Sequence, residues 1–555
     1  MGSTFRTKLL LIATLAFAAV FSVRATQVMH RPANYKAAPH NFTEGHATPH
    51  VIHKRATGKV NMAYFTNWGI YGANFQPTDI NPGPLTQILY AFADVSPDTG
   101  AISLTDSYAD EQKHFPGDSW SETGNNLYGC LKQLYLLKMA NRQDPLHLIY
   151  PYSRVLTHVS AENRNLKITL SVGGWTYSQD GHFSFVTDAT KRQTFVNSAL
   201  QLIEDYGLDG LDLDFEYPSS AAQGQGFADL VTALRSAFDS YATKKGDTVP
   251  YSLTAAVSAG AANYQYLVVP QMDKALTFWN LMALTYIRKA YDYAGSWLTF
   301  ADNQANLYGG QRTGVSTDAA VSWYISQGAT PDKIVMGLPL YGRAFENTNG
   351  LGQSYSGIGP GTIEAGVYSY NVLPLASAQV FENVTDVSSY SYDSTKKELV
   401  SYDTPHIASL KAQYVTSKGL GGNMFWDLST DKTGSDSLVS TTANVFGALD
   451  QTQNHLDYPN SKWDNIRSNM GTGTGGGGSS TSTTAPTGTS TSSSPTSSPT
   501  GGSGQCAGVV AWTSAAVFTG GQKATYNGHL WTAKWWTEGD IPGGAAGVWT
   551  DNGAC

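Results

Sequence analysis

Eight short apolar runs, separated by longer segments with a helical pattern of apolar residues, constrain the fold of this 555-residue chain most strongly. Apolar runs that alternate with amphipathic helices are typical of a parallel sheet covered by helices. Eight such units within about 400 residues predict a (β/α)8 TIM barrel. Glycine-rich phosphate-binding fingerprints are absent, so we favour this closed α/β fold over an open doubly wound sheet. The runs are 61–66, 87–93, 167–172, 210–216, 251–257, 278–283, 333–340 and 422–427.

One break in composition divides the chain. From 471 to 505 the sequence consists almost wholly of Gly, Ser, Thr, Ala and Pro, and such a tract cannot bury enough apolar surface to fold. We expect a linker there, which separates a large domain at 57–470 from a small all-β module at 506–555. Within the large domain, Tyr-rich strand-like pieces at 345–410 predict an inserted α+β lobe beside the barrel mouth.

The N-terminus has the pattern of a secretory signal peptide. Basic residues precede an apolar run that ends at Val23, which predicts a signal peptide at 1–25 and a secreted, extracellular protein. The run is shorter than the roughly 20 residues of a membrane-spanning helix, so we expect no membrane anchor. Residues 26–55 are polar and end in Lys54-Arg55. We favour a propeptide removed at this dibasic pair, and an extended N-terminal arm is the alternative.

Charge and cysteine content narrow the classes of partner and compartment. The net charge is −8, and no basic stretch supplies the surface that nucleic-acid phosphates require. The chain contains 31 Tyr and 13 Trp, whose rings suit stacking on sugars. Cys506 and Cys555 can form a disulfide in an oxidising compartment, whereas Cys130 lies in an apolar helical pattern and is expected to be a buried free thiol.

The segment 209–218, Asp-Gly-Leu-Asp-Leu-Asp-Phe-Glu-Tyr-Pro, alternates acidic and apolar side chains. Side chains at i, i+2 and i+4 of a strand share a face, so Asp212, Asp214 and Glu216 point one way and the apolar residues point the other. In a barrel, the acidic set faces the interior and ends at the C-terminal mouth, where active sites of this fold form. Crowding raises the pKa of at least one carboxyl group, which keeps it protonated as a general acid must be.

Two alternatives to catalysis exist for these carboxylates. Asp-x-Asp patterns often bind Mg²⁺ or Ca²⁺, and acidic side chains are also buried for structural reasons. The intervening residues are bulky and apolar rather than Gly or Asn, and the acidic set ends a strand. We therefore favour catalysis and expect neither a metal nor a cofactor.

Several ordered motifs carry a family resemblance. Asp209–Glu216 resembles the DGxDxDxE signature of family 18 glycoside hydrolases, and Ser171–Trp175 resembles the SxGG strand of that family. Gly337–Phe345, Gly422–Trp426 and the inserted lobe are similar as well, so the resemblance extends over residues 58–450. It implies a secreted fungal-type chitinase, which hydrolyses the β-1,4 bonds between the N-acetylglucosamine units of chitin.

The resemblance also implies a mechanism in which the substrate supplies the nucleophile. Glu216 is expected to protonate the glycosidic oxygen and later to deprotonate water. The acetamido oxygen of the cleaved sugar attacks the anomeric carbon and forms an oxazolinium ion, and the configuration is retained. Asp214 is expected to hold the acetamido N–H, and Asp212 is expected to share a proton with Asp214.

Further positions match substrate-contacting residues of the family. The resemblance implies that Tyr291 and Asp292 hydrogen-bond the acetamido oxygen. Trp426 is expected to form an aromatic floor beneath the distorted sugar, with packing in the barrel core as the alternative. The other expected substrate-binding residues are Trp175 and, with packing or surface pairing as the alternative, Tyr64, Met282 and Arg343.

Two stretches depart from the family pattern. Residues 284–290 separate Met282 from Tyr291, and residues 143–162 stand between two Asn-Arg pairs. Our hypothesis is that both are errors in the gene model, the longer one being a translated intron. If residues 284–290 are genuine, there are three alternatives. They loop out and Tyr291 still reaches the acetamido oxygen, or Tyr286 takes the place of Tyr291, or the hydrogen bonds to the acetamido oxygen are lost.

The C-terminal segment carries a second resemblance, since residues 531–542 are similar to the AKWWT motif of family 5/12 carbohydrate-binding modules. Adjacent strand residues face opposite sides. Either Trp535 or Trp536 can therefore anchor the core while the other stacks on chitin, and a core role for both is the alternative. The linker then keeps the catalytic domain close to solid chitin.

Two competing functions fit the same barrel: a catalytically weak or inactive chitin lectin, and an endo-β-N-acetylglucosaminidase that acts on glycoproteins. The retained Glu216 argues against the lectin, and the chitin-binding tail favours chitin. We expect a monomer whose partners are chitin and chitooligosaccharides, without nucleic acid or membrane. Asn383, in Asn-Val-Thr, is a candidate N-glycosylation site.

Overall fold

A computed structural model describes residues 58–139, 165–283 and 294–471, and parts of 506–555. The gaps in the C-terminal part are 507–508, 514–515, 519–521, 534–536, 539–540 and 545–547. The chain divides into two compact units, Met1–Gly475 and Gly476–Cys555. The predicted signal peptide, the 26–55 segment, the stretch 143–162 and nearly all of the linker lie outside the described residues.

The first unit is built on eight parallel strands that close into a barrel. In chain order the barrel strands are β1 (Val60–Thr66), β2 (Gln87–Val95), β4 (Lys167–Gly173), β5 (Gly210–Asp214), β6 (Ser252–Ser258), β7 (Phe278–Met282), β8 (Ile334–Pro339) and, after the lobe, β14 (Gly422–Trp426). The short β3 (Ile102–Ser103) pairs antiparallel with the end of β2 and is not part of the ring. The barrel order is β1-β14-β8-β7-β6-β5-β4-β2, and the pairing of β2 with β1 closes the ring. The eight barrel strands coincide with the eight apolar runs, so the predicted fold is confirmed.

Helices surround the barrel, and their ends follow local sequence signals. The helix Ala189–Tyr206 begins after Asp188, whose carboxylate accepts hydrogen bonds from two backbone N–H groups of the first turn, and it ends at Gly207 with a φ of 64°. In the ranges that the structure describes, no helix has the length and apolar character needed to cross a bilayer. The α-helices are Gly129–Met139, Trp175–Gln179, Ala189–Tyr206, Ala221–Lys245, Ala261–Tyr264, Val269–Ala275, Thr317–Ser326, Pro405–Ser417, Leu438–Phe446 and Asp464–Arg467.

Alternation along each strand separates two apolar layers. On β1, Met62 and Tyr64 belong to a cluster inside the barrel, whereas Phe65 packs in the layer between the barrel and the helices. Leu211 and Leu213 of β5 lie in that outer layer. Burial of each large apolar side chain contributes roughly 1.5–3 kcal/mol, so the outer layer holds β5 in a fixed orientation. The acidic residues of β5 therefore face the interior.

An antiparallel sheet is inserted between β8 and β14. Its strands are β9 (Tyr341–Phe345), β10 (Val367–Ser369), β11 (Gln379–Asn383), β12 (Ser388–Asp393) and β13 (Glu398–Ser401), in the order β10-β9-β13-β12-β11. The sheet starts at Tyr341, slightly before the predicted boundary at 345. The helix Pro405–Ser417, which follows the sheet, packs against β14 and the helix Leu438–Phe446.

The second unit is a small all-β module. Its strands are β15 (Val517–Phe518), β16 (Lys523–Tyr526), β17 (His529–Ala533), β18 (Thr537–Glu538) and β19 (Trp549–Ala554), in the sheets β15-β18 and β16-β17-β19. Phe518 and Trp549 pack in its apolar core, with ring centroids 5.1 Å apart. Cys506 and Cys555 form a disulfide with a Cα–Cα distance of 5.3 Å. Cys130 of the first unit is buried and not disulfide-bonded.

Candidate active site

Strand β5 places three carboxyl groups at one end of the barrel. Asp212, Asp214 and Glu216 have exposed fractions of 0 %, 3 % and 0 %. Asp214 is the last residue of β5, and Glu216 lies two residues further along the chain, at the C-terminal mouth. The three predicted catalytic residues of this segment therefore occupy a buried acidic row at the mouth.

Asp212 is held by four donors from four different strands. Its Oδ2 accepts hydrogen bonds from the hydroxyl groups of Tyr64 at 3.0 Å and Ser171 at 2.7 Å. Its Oδ1 accepts from the hydroxyl group of Thr254 and from Nδ2 of Asn280, the latter at 3.0 Å. Burial raises the pKa of Asp212, and these hydrogen bonds oppose that rise. Donors occupy both oxygens, so Asp212 is a poor ligand for a cation in this arrangement.

Asp214 lies in a different environment from Asp212. Burial raises its pKa well above the ordinary value, and the neighbouring charges of Glu216 and Asp212 raise it further. Among the described residues, Oδ1 of Asp214 is buried without a hydrogen-bond partner. A buried polar atom without a partner is costly, so this oxygen is positioned to accept a donor from a bound molecule. Nothing in the described part of the chain shows a hydrogen bond between Asp212 and Asp214, and their shared proton stays a prediction.

Tyr64, expected to line the cleft, lies inside this acidic network. It is on β1, is buried, and donates to Asp212. Burial and the nearby charges of Asp212, Asp214 and Glu216 raise its pKa well above the ordinary value. Tyr64 therefore keeps its proton and acts as a hydrogen-bond donor.

Two glycines at the end of β4, the last residue of the strand and the residue after it, allow the backbone to pass close to the acidic row. Gly173 and Gly174 have φ values of 113° and 87°, which favour glycine. A Cβ at Gly173 would lie 2.3 Å from the carbonyl oxygen of Asp214, and one at Gly174 would lie 2.8 Å from the ring of Phe92. The N–H of Gly174 donates to the carbonyl oxygen of Asp214 at 2.9 Å. Close packing and backbone shape thus require the glycine pair of the SxGG motif.

Aromatic rings surround Trp426 at the end of β14. Its ring centroid lies 5.1 Å from that of Tyr64, 5.6 Å from that of Phe92 and 6.4 Å from that of Trp68. The rings of Phe92 and Trp426 stack at an interplanar angle of 19°. Trp68 is half exposed, so this cluster extends from the barrel interior to the surface. Such faces can pack on the apolar face of a sugar ring.

The remaining predicted substrate-binding residues lie in several places. Met282 is buried at the end of β7 in the interior cluster with Trp426, and Trp175 begins the helix after the glycine pair. Arg343 is on β9 of the lobe, with its guanidinium group 5.5 Å from the ring centroid of Trp297. It also pairs with Glu364 at 3.5 Å. Residues 284–293, which include Tyr286, Tyr291 and Asp292, and the module residues Trp535 and Trp536 lie outside the described part of the chain.

The sequence pattern did not identify several residues of the site. Thr254 and Asn280 donate to Asp212, and Phe92 and Trp68 extend the aromatic cluster around Trp426. The signal for Thr254 and Asn280 was present, because each is a polar residue within a buried apolar strand. Their partner was not evident, since it depends on how neighbouring strands align.

Comparison with known proteins agrees with this geometry. Residues 60–431 match the model of the family described as glycosyl hydrolases family 18. Chitinase 1 of Aphanocladium album is 45 % identical over 423 residues, which cover 76 % of this chain and 93 % of that protein. The catalytic domain of the psychrophilic chitinase B from Arthrobacter TAD20 has a TM-score of 0.59 and 26 % identity, covering 70 % of this chain and 95 % of that one.

A ligand complex is also among the similar structures. The Cycas revoluta chitinase, solved in complex with (GlcNAc)4, has a TM-score of 0.54 and 25 % identity, and the match covers 70 % of this chain and 100 % of that one. Fold, acidic row and family match lead to one conclusion. The chain belongs to glycosyl hydrolases family 18.

Proposed function

We propose that this enzyme is a chitinase that cleaves β-1,4 bonds between N-acetylglucosamine units and retains the anomeric configuration. The observation that carries the proposal is the buried row of Asp212, Asp214 and Glu216. Among the described residues, Oδ1 of Asp214 in this row has no hydrogen-bond donor. Membership in the family and the similarity to named chitinases support the reaction class. The (GlcNAc)4 ligand of the Cycas revoluta enzyme supports the substrate class.

In the first chemical step Glu216 is the proton donor. Glu216 donates its proton to the glycosidic oxygen as the bond to the leaving sugar breaks. The acetamido oxygen of the remaining sugar forms a bond to the anomeric carbon, which gives an oxazolinium ion. In the second step Glu216 removes a proton from water, and the water oxygen bonds to the same carbon and opens the ring of the ion. Two displacements on one carbon retain its configuration.

Asp214 stabilises the charge that develops on the substrate. The acetamido N–H becomes more acidic as its oxygen attacks, and an oxygen of Asp214 is the proposed acceptor for it. The pKa of Asp214 is raised because burial and the neighbouring carboxylates disfavour its charge. The positive oxazolinium ion relieves that repulsion, so the attraction is greatest in the transition state. Four donors hold Asp212 in a fixed position, and we expect Asp212 to share a proton with Asp214.

Replacing Asp214 with Asn tests this assignment. We expect kcat on chitooligosaccharides to fall by about 10²-fold, the size typical of losing one preorganised electrostatic partner. Asp214 and Glu216 interact strongly, so the pair of carboxyl groups titrates together, and removal of Asp214 should move the alkaline limb of the kcat–pH profile to lower pH. Steady-state kinetics between pH 3 and 9 measure both effects. The exposed Asp180→Asn is the matched control and should leave kcat unchanged. Wild-type kcat and an unmoved limb in Asp214→Asn would contradict the proposal.

The C-terminal module is proposed to bind chitin. Its five Trp, the disulfide between Cys506 and Cys555 and the AKWWT resemblance support this role. A tethered binding module raises the concentration of the catalytic domain at a solid surface and leaves soluble substrate unaffected.

Deletion of residues 472–555 tests the role of the module. We expect hydrolysis of insoluble chitin to fall by about tenfold and kcat on soluble (GlcNAc)5 to stay within twofold of the full chain. Binding of both proteins to chitin particles is measured by depletion from solution. The soluble substrate serves as the internal control. Equal rates of hydrolysis of insoluble chitin by the full chain and the deletion variant would contradict the proposed role of the module.

Export through the secretory pathway is also part of the proposal. The candidate sequon supports it, because Asn383 is exposed at the end of β11. Its side-chain oxygen accepts hydrogen bonds from the N–H groups of Thr385 at 3.0 Å and Asp386 at 3.1 Å. Nδ2 donates to Oδ2 of Asp386 at 2.9 Å, and a glycan would replace one of its two hydrogens and leave both hydrogen bonds to the side-chain oxygen intact.

A further inference from the structure

The backbone of Glu216 lies beyond the barrel sheet. The last pairs of β5 are Gly173 with Asp214 on one side and Asp214 with Ala256 on the other. Glu216 therefore takes no part in a strand ladder, and its backbone N–H and C=O need partners elsewhere because both groups are strong hydrogen-bonding groups in a buried place.

The short helix Trp175–Gln179 supplies these partners. The hydroxyl oxygen of Ser178 accepts a hydrogen bond from the N–H of Glu216 at 2.9 Å and donates to the carbonyl oxygen of Asp214 at 3.3 Å. Nε2 of Gln179 donates to the carbonyl oxygen of Glu216 at 2.6 Å. One hydroxyl group thus joins the backbone of two acidic residues, which a hydroxyl can do because it both donates and accepts.

The helix is itself fixed to the barrel. The N–H of Gly174 donates to the carbonyl oxygen of Asp214, and the N–H of Ser178 donates to the carbonyl oxygen of Gly174 at 3.1 Å. Ser178 therefore belongs to a short continuous path of hydrogen bonds from β4 to the end of β5. Along this path the backbone that carries the acid is positioned without help from the strand ladder.

From these contacts we infer that Ser178 is a positioning residue for the proposed reaction, acting through the backbone of Asp214 and Glu216. Loss of the hydroxyl group lets the segment after β5 move, and small displacements of a reacting group are costly in rate. The separation of the two carboxyl groups also changes, and this separation sets how strongly the pair of carboxyl groups retains a proton. The inference rests on the proposed role of Glu216.

The test compares Ser178→Ala with Ser178→Thr in the full chain. For Ser178→Ala we expect kcat on chitooligosaccharides to fall about tenfold, KM to stay within twofold, and the alkaline limb of the kcat–pH profile to move to lower pH. Ser178→Thr keeps the hydroxyl group and should recover most of the rate and the wild-type limb. Thr176→Ala, which removes an exposed hydroxyl group from the same helix, is the matched control and should match the wild type.

The outcomes separate this inference from the proposed function. A Ser178→Ala enzyme with the kcat and pH profile of Thr176→Ala overturns the positioning role, and so does an equal loss in Ser178→Thr and Ser178→Ala. If Ser178→Ala does not fold, Gln179→Ala is tested instead, because it removes the donor to the carbonyl oxygen of Glu216. A wild-type kcat and pH profile in Gln179→Ala would then contradict the inference. Glu216→Gln is assayed in parallel: activity in that variant refutes the proposed function itself, whereas its inactivity beside a wild-type-like Ser178→Ala refutes only the role of Ser178.

Discussion

The Glu216→Gln enzyme is expected to lose nearly all hydrolysis of chitooligosaccharides, with kcat lowered by about 10³-fold. Gln has the size of Glu and fits the same buried position, but it has no acidic proton to give to the glycosidic oxygen. Glu216 is completely buried, so bulk water does not replace it readily as the acid. Release of reducing ends from (GlcNAc)5, followed by chromatography, measures the loss.

Two controls belong with this variant. Thermal unfolding should show an unchanged or higher midpoint, because the substitution removes an ionisable group from a buried acidic row. Calorimetric titration with (GlcNAc)5 should still detect binding, since the aromatic cluster around Trp426 is unchanged. A variant that retains more than a tenth of wild-type kcat contradicts the role of Glu216. A wild type as inactive as Glu216→Gln, with binding retained, identifies the protein as a chitin lectin.

The second large effect concerns the substrate. The attacking group in the proposed reaction is the acetamido oxygen of the sugar whose anomeric carbon is cleaved. Where that sugar carries a free amino group instead, the nucleophile is missing. We expect cleavage at such positions to be slower by about 10³-fold or more, because the well-oriented intramolecular attack is lost. Partially acetylated chitosan presents both kinds of sugar to one enzyme.

Product sequencing measures this selectivity. Hydrolysis in ¹⁸O-water labels each new reducing end, and mass spectrometry of the oligomers identifies the sugar there. We expect N-acetylglucosamine at essentially every new reducing end, while the new non-reducing ends contain both sugars. The non-reducing ends are the internal control, since they do not supply the nucleophile. Glucosamine at new reducing ends in proportion to its abundance would show that the acetamido oxygen is not the nucleophile.

Strand alternation explains how much of the fold was predictable. Each barrel strand is a short apolar run bounded by turn residues, and the outer layer takes every second side chain. On β5 the same rule predicts that Leu211 and Leu213 point outward and that Asp212 and Asp214 point inward. Local periodicity was therefore sufficient for the strands and for the acidic row, whereas the choice of a closed barrel also rested on the absence of glycine-rich phosphate-binding fingerprints.

Contacts between strands were not predictable in the same way. Ser171 and Thr254 are the ladder neighbours of Asp212 on β4 and β6, and this register brings their hydroxyl groups to its two oxygens. A slip of one residue would turn every side chain to the other face, and a sequence pattern within one strand does not fix the register between strands. The set of donors to Asp212 therefore appeared only in the structure.

The aromatic cluster shows the same limit. Trp426 ends β14, Phe92 lies in β2, and Tyr64 lies in β1 between them. Closure of the barrel makes β14 and β2 the two neighbours of β1, although residues 92 and 426 are far apart in sequence. Motif matching identified Trp426, and only the topology revealed its companions.

The central claim is that the substrate's own amide attacks while Glu216 handles the proton, and the anomeric configuration of the first product tests it most directly. Proton NMR of (GlcNAc)5 digestion, recorded before mutarotation equilibrates the products, distinguishes the two anomers. The mechanism predicts that the new reducing ends appear first as the β-anomer and drift towards equilibrium afterwards. Initial appearance of the α-anomer would require a single displacement by water and would contradict the mechanism.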